Sequence, residues 1–148
     1  MLRVLAALLV ALYANGASAD DDASNREAHL GHILCARTVA VSFDAFFDAC
    51  QLEEEKDVQE NIKRNIGTFD NFIQENFGIS LDKIKPQKGD LNDELIRIRS
   101  SLGNNGFQNL CIQRLDHIRE NGIITKINKE ITERDLRVMS KITIPSCF

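Results

Sequence analysis

The three histidines are the residues whose type and spacing come nearest to a recognisable chemistry. His29 and His32 stand three apart and would share a helix face, and His117 is the third. Neutral imidazole suits copper and zinc, so these side chains, with Glu27 or an acidic N-terminal residue as a further ligand, are the candidate metal site. No closed ligand set is visible, and histidines at such short spacing are common on surfaces. His29 and His32 are therefore expected at an exposed helix start, His117 on the surface, and no cofactor is assigned. The four cysteines, Cys35, Cys50, Cys111 and Cys147, lack zinc-type spacing, since no two stand two to four residues apart. Enzymatic signatures are missing: there is no nucleophile elbow, no His-Glu-x-x-His helix and no phosphate-cradling glycine loop. The acidic run Glu53-Glu54-Glu55 reads as solvated surface. With no convergent acid, base and nucleophile, the chain is expected not to be an enzyme.

The N-terminus sets the compartment. Arg3 precedes an apolar run from Val4 to Tyr13, then Ala17-x-Ala19, the layout of a secretory signal peptide over residues 1–19. The apolar run is too short to span a bilayer, which disfavours the alternative of an uncleaved anchor. Cleavage would leave 129 of the 148 residues, beginning at Asp20, and would move the net charge from −4 to −5 by removing Arg3. That length suits one domain. The acidic stretch 20–26 reads as a disordered lead-in and 27–148 as a single helical domain. An acidic chain has no electrostatic reason to seek nucleic acid or anionic membranes. No later stretch is apolar enough to cross a membrane, and no Asn-x-Ser/Thr acceptor occurs. The expectation is a secreted, extracellular protein. There, an even cysteine count favours two disulfides over free buried thiols.

The elements that would position these groups are helical. Ile33, Ala36, Ala40, Phe43, Phe47 and Cys50 recur at spacings of 3 and 4, one face of a helix. Val39 and Phe46 widen the stripe, and Arg37, Asp44 and Asp48 fall away from it. The β-branched Thr38, Val39 and Val41 leave a strand as the alternative. Val58, Ile62, Ile66, Phe69, Ile73 and Phe77 form a second stripe, with a kink or break expected at Gly67, Thr68 capping a restarted helix, and Gly78 ending it. The segment from Ile79 to Gly89, with Lys83, Lys85 and Lys88, reads as a solvated connector, with a basic contact surface as the alternative. Asp90 is expected to cap a helix carrying Leu91, Leu95, Ile98 and Leu102. A turn at Gly103-Asn-Asn-Gly106 leads to a helix with Phe107, Leu110, Cys111, Leu115 and Ile118, ended by Asn121-Gly122. Ile124 to Ile142 reads as one helix or, with Thr132–Asp135 as a capping pair, as two short helices, with Pro145 closing the pattern. The fold class is all-α, a disulfide-braced bundle of about four to five helices.

Helix geometry restricts the disulfides. Cys35 and Cys50 are 15 residues apart, about 22 Å of rise on one helix, and a disulfide brings Cα atoms to roughly 4.4–6.8 Å. If the segment is a helix, they cannot pair with each other. Two connectivities remain open: Cys35–Cys111 with Cys50–Cys147, or Cys35–Cys147 with Cys50–Cys111.

Two local likenesses accompany this reading. Ile118-Arg-Glu-Asn-Gly-Ile123, running on to Asp135-Leu136 and Met139, looks somewhat like the closing helices of class-two helical cytokines, and stops there. His29-x-x-His32-x-x-Cys35 and the segment from Thr132 to Cys147 are similar in layout to the microplusin family of secreted, helical, copper-binding antimicrobial proteins. That family carries more cysteines at other spacings and a histidine-rich tail, both absent here, so no residue role transfers. The leading expectation is a secreted, non-enzymatic, cytokine-like or effector-like ligand with an extracellular protein partner. A host-defence protein, possibly metal-sequestering, is the runner-up. A carrier of small apolar ligands is third, with Phe43, Phe46, Phe47, Phe69, Phe72 and Phe77 as pocket candidates, though a phenylalanine stripe is more often plain core.

Overall fold

A computed structural model of the protein describes residues 2–139, with side chains from residue 23 onward. The chain there is all-α, without a strand: α1 (Leu2–Cys50), α2 (Lys56–Phe77), α3 (Lys88–Glu120), α4 (Ile123–Ile127) and α5 (Glu133–Arg137), with short 3-10 turns at Glu53–Glu55 and Leu81–Lys83. No helix among the described residues is long and apolar enough to cross a membrane. The side chains of residues 1–22, which include the signal peptide expected over 1–19, and the whole of the tail with Ile142, Pro145 and Cys147, lie outside the described residues.

α1 is the central element, and it continues through Thr38, Val39 and Val41 without turning to strand. Ile33, Ala36 and Phe47 of the expected stripe are buried, and Ala40, Phe43 and Cys50 half-buried. The assignment of Arg37 and Asp44 to the outer face is corrected: they are 2 % and 4 % exposed. Val41 and Ala45, off the stripe, are buried as well. The reason is that α1 is covered from more than one direction, by α2 with the 79–87 connector and by α3, so its polar positions are enclosed along with its apolar ones. Arg37 Nε donates to Asp70 of α2 at 2.5 Å, and its Nη1 donates to the Pro86 carbonyl at 2.8 Å. A buried guanidinium persists because both contacts satisfy it.

α1 hands over to α2 through a tight reversal. Gln51 takes the left-handed conformation (φ 53°), its N–H donating to the Asp48 carbonyl, while the Leu52 N–H donates to Phe47 at 3.2 Å. Leu52 packs near Phe47, which completes a Schellman ending with glutamine where glycine is usual. α2 then runs unbroken through Gly67. Its buried residues Val58, Ile62, Phe69, Phe72 and Ile73 form one continuous face on α1. Fully burying each large side chain contributes about 1.5–3 kcal/mol, which outweighs the roughly 1 kcal/mol penalty of one helical glycine. Thr68 does not cap; its hydroxyl donates to the Arg64 carbonyl within the helix. Gly78, φ 68°, ends α2 as expected.

α3 begins earlier than expected. Gln87 is the N-cap, and Asp90, at the third helical position, accepts the Gln87 N–H at 2.9 Å. The turn expected over Gly103 to Gly106 contracts to one non-helical residue, Gly103 (φ 70°, ψ 168°), a region essentially reserved for glycine. α3 is thereby kinked into two arms. The second arm buries Phe107, Cys111, Leu115 and Ile118, and the first buries nothing fully. Beyond Gly122 the two-helix alternative is the one that forms, α5 opening on the reciprocal Thr132–Asp135 cap. Their linker is held by two buried asparagines of α2. Asn61 donates to the Asn128 carbonyl, while Asn65 donates to the Lys129 carbonyl and accepts the Ile131 N–H, both at 2.9 Å.

Candidate functional site: a groove between α1 and α3

The histidines do not assemble. His29 is half-buried, with Nε2 2.6 Å from the Leu136 carbonyl, and its ring meets Phe72 and Phe77 edge-on. A carbonyl only accepts, so Nε2 carries the proton and His29 is engaged in docking α5 on α1. His32 is half-buried one helical turn further on, while His117 is exposed near the end of α3 beside Asn121. Among the described residues no three His, Cys, Asp or Glu side chains cluster as a shared metal ion would require.

The acidic run is likewise more than solvated surface. Glu55 is buried, and Arg119 donates to it at 2.6 and 3.0 Å and to Glu54 at 3.1 Å. Glu55 and then Glu54 push the Arg119 guanidinium above its ordinary value by hydrogen bonding and charge. The second arm of α3 ends against the α1–α2 turn, which sequence spacing does not reveal.

What the fold does assemble is a groove. α1 turns Thr38, Val39, Ser42, Phe43, Phe46 and Cys50 toward α3 over three helical turns. The kink at Gly103 brings Leu95 and Ile98 on one arm and Phe107, Leu110, Cys111, Arg114 and Ile118 on the other to the opposite wall. The space between is about 500 Å³. Phe43 and Phe46, two of the six phenylalanines weighed as pocket residues, line it. Phe47, Phe69 and Phe72 are packed in the core and Phe77 lies against His29. Phe107 and the α3 aliphatics were legible only as helix stripes, because their facing α1 depends on the disulfide and the kink.

Three fastenings hold the groove in shape. Cys50 and Cys111 are joined, Cα atoms 5.7 Å apart, within the wall itself. Of the two connectivities open in the sequence, this bond belongs to the one that also pairs Cys35 with Cys147. Cys35 is disulfide-bonded, and Cys147 lies outside the described residues. Arg99 lies over the Phe107 ring at 4.6 Å and donates to the Ala49 carbonyl at 2.7 Å. Lys88, in the expected solvated connector, instead bridges Asp44, at 2.8 Å, and Asp48. Burial alone would raise the Asp48 carboxyl, but hydrogen bonds from Lys88 and Gln59 and the charges of Lys88 and Lys63 outweigh it and hold it below its ordinary value. Lys88 is the mirror case: burial lowers it, and the two carboxylates more than compensate, leaving it raised.

The polar groups lining the groove are few. The Thr38 and Ser42 hydroxyls donate to the carbonyls of Leu34 and Thr38, each at 2.8 Å. The arrangement offers apolar walls and a closed covalent brace, without an acid–base pair or nucleophile. No known protein family, curated protein or solved structure matches the chain.

Proposed function

We propose that the protein is a secreted, non-enzymatic binding protein that holds a small apolar ligand in the groove between α1 and α3. The observation that carries this reading is the apolar lining of the groove, Phe43, Phe46, Phe107 and aliphatic side chains around about 500 Å³. Ligand sites typically span roughly 300–1,000 Å³, with mostly apolar walls and few polar groups. An open space of similar size beside the α1–α2 turn is lined largely by Asp48, Gln51, Glu53, Lys56 and Gln59, so the apolar walls, not the volume, favour the α1–α3 groove as the site. This raises the third sequence expectation above the first. Secretion rests on the signal-like N-terminus, and the metal-sequestering form of host defence loses support because His29 is engaged with Leu136.

Titration of the full secreted chain with the apolar dye N-phenyl-1-naphthylamine tests the reading. Saturable fluorescence enhancement is expected, abolished by Ser42→Trp, which sets an indole in the groove from an exposed position. No enhancement with the wild type sinks the carrier reading. A cytokine-like or effector-like protein ligand is then the surviving form, for which Ile96, Leu102 and Ile112, large apolar side chains exposed along α3, supply the contact surface.

A further inference from the structure

We infer that the groove selects amphiphiles with one negative headgroup, long-chain carboxylates of the fatty-acid class, and that Arg114 is the residue that receives the head. This rests on the carrier reading above and goes beyond it in naming the ligand class.

Charge bookkeeping around α1 and α3 points to Arg114. Among the described cations of α1 and α3, Arg37 has Asp70, Lys88 has Asp44 and Asp48, and Arg119 has Glu54 and Glu55, while Arg26 is spent on the Asn76 carbonyl and Arg99 on the Phe107 ring and the Ala49 carbonyl; Arg97 also lacks a partner but does not line the groove. Arg114 lines the groove and has no hydrogen bond or ion pair with any described residue. Its helical neighbours three and four positions away are Leu110, Cys111, His117 and Ile118, so no carboxylate stands where an intrahelical pair would form. The side chain is exposed and therefore solvated when the groove is empty, which makes the lone charge tolerable without a protein partner.

The other polar groups of the lining leave the role to Arg114. Thr38 and Ser42 have already given their hydroxyl protons to backbone carbonyls, so neither can donate to an anion in this arrangement. A ligand that buries a hydrocarbon body against Phe43, Phe46 and Phe107 therefore meets one donor group. A guanidinium's forked N–H pairs match a carboxylate bidentately. A neutral amphiphile of the same length fills the same walls but leaves that fork to water.

The test is displacement of a fluorescent fatty acid, cis-parinaric acid, from the full chain by hexadecanoate and by hexadecanol, in wild type, Arg114→Gln and Arg114→Lys. Hexadecanoate is expected to displace the probe at about tenfold lower concentration than hexadecanol, the size of one charge-assisted hydrogen bond at a partly solvated site. Arg114→Gln is expected to erase the difference while hexadecanol binding persists, and Arg114→Lys, which supplies the charge without the fork, to keep only part of it. Equal displacement by acid and alcohol in the wild type overturns the headgroup role, as does an acid preference that survives in Arg114→Gln; the carrier reading stands in both cases. If the probe does not bind and N-phenyl-1-naphthylamine does not either, the carrier reading falls and takes the inference with it.

Discussion

Where α1 meets α2, contact is spread over area. Ile33, Ala36, Phe69, Phe72 and Ile73 share one cluster with Ile84 and Leu136, and Phe47, Val58 and Ile62 form a second. Where α1 meets α3, no residue of the first arm is fully buried, and that arm is fastened at points: Arg99 donates to the Ala49 carbonyl and Lys88 sits between two carboxylates, while the second arm, which does bury side chains, carries the disulfide from Cys111 to Cys50. Distributed packing stabilises in proportion to apolar surface removed from water and tolerates little empty space. Point fastenings fix distance without filling volume. The groove lies between α1 and α3, and it can stay open because the disulfide, Arg99 and Lys88 hold its walls apart at a set separation.

The sharpest way to break this contrast is to cut the covalent point. Replacing Cys50 and Cys111 with serine opens a bond spanning 61 residues of sequence. A loss of about 4 kcal/mol is expected in the chain-entropy account, measured by urea denaturation. Hydrogen exchange should show α3 losing protection ahead of the α1–α2 pair, and dye binding in the groove should disappear. If α1, α2 and α3 lose protection together, the two sides are not held independently.

The converse cut falls on the packed side. Arg37→Ala removes a side chain that is 2 % exposed and leaves Asp70 and the Pro86 carbonyl without it. Breaking a buried, hydrogen-bonded pair in this way is expected to cost about 3 kcal/mol, with the midpoint of unfolding lowered but groove binding preserved wherever the protein remains folded. Loss of groove binding in the folded variant would show that the two sides communicate.

The smallest expected effect sharpens the ionic point. The depressed Asp48 carboxyl contributes stability that is present above its unfolded value, near 3.8, and is lost as pH falls through the lower folded value. The raised Lys88 contributes stability that is present below 10.5 and is lost as pH rises through its higher folded value. The advantage of wild type over Lys88→Met should therefore be level across neutral pH and shrink below about pH 4. With both side chains a third or more exposed it should amount to only a few tenths of a kcal/mol. Denaturation midpoints of both proteins at pH 7 and pH 3 measure it, and an advantage that grew in acid would refute the assignment.

How much of this was legible differs by element. The stripe from Ile33 to Phe47, the α2 face, the Gly78 ending and the Thr132–Asp135 cap follow from local rules, since each depends on residues within a turn or two of one another. Asp90 was read as a cap because it resembles one, but Gln87 takes that place and Asp90 serves as its reciprocal partner. At Gly67 propensity alone points to a kink or break, whereas burial of the α2 face on α1 outweighs it. Periodicity places Arg37 and Asp44 outward because it marks only the most apolar side of a helix and is silent on how many sides are covered. For the groove, Phe43 and Phe46 were visible as candidates and Arg114 was not, since a lone arginine in a polar helix carries no signal until its neighbours in space are known.

The sequence alone determined that the chain is helical, that Cys35 and Cys50 cannot join each other, and that no known catalytic motif is present. These follow from rise per residue, side-chain periodicity and motif spacing, all short-range quantities. Tertiary structure decided that Cys50 joins Cys111, that α3 bends at Gly103 instead of ending there, and that three helical turns of α1 face two arms of α3 across an open space. Those outcomes depend on contacts between residues some 50 or more positions apart in sequence, and local spacing carries no information about which distant surfaces meet.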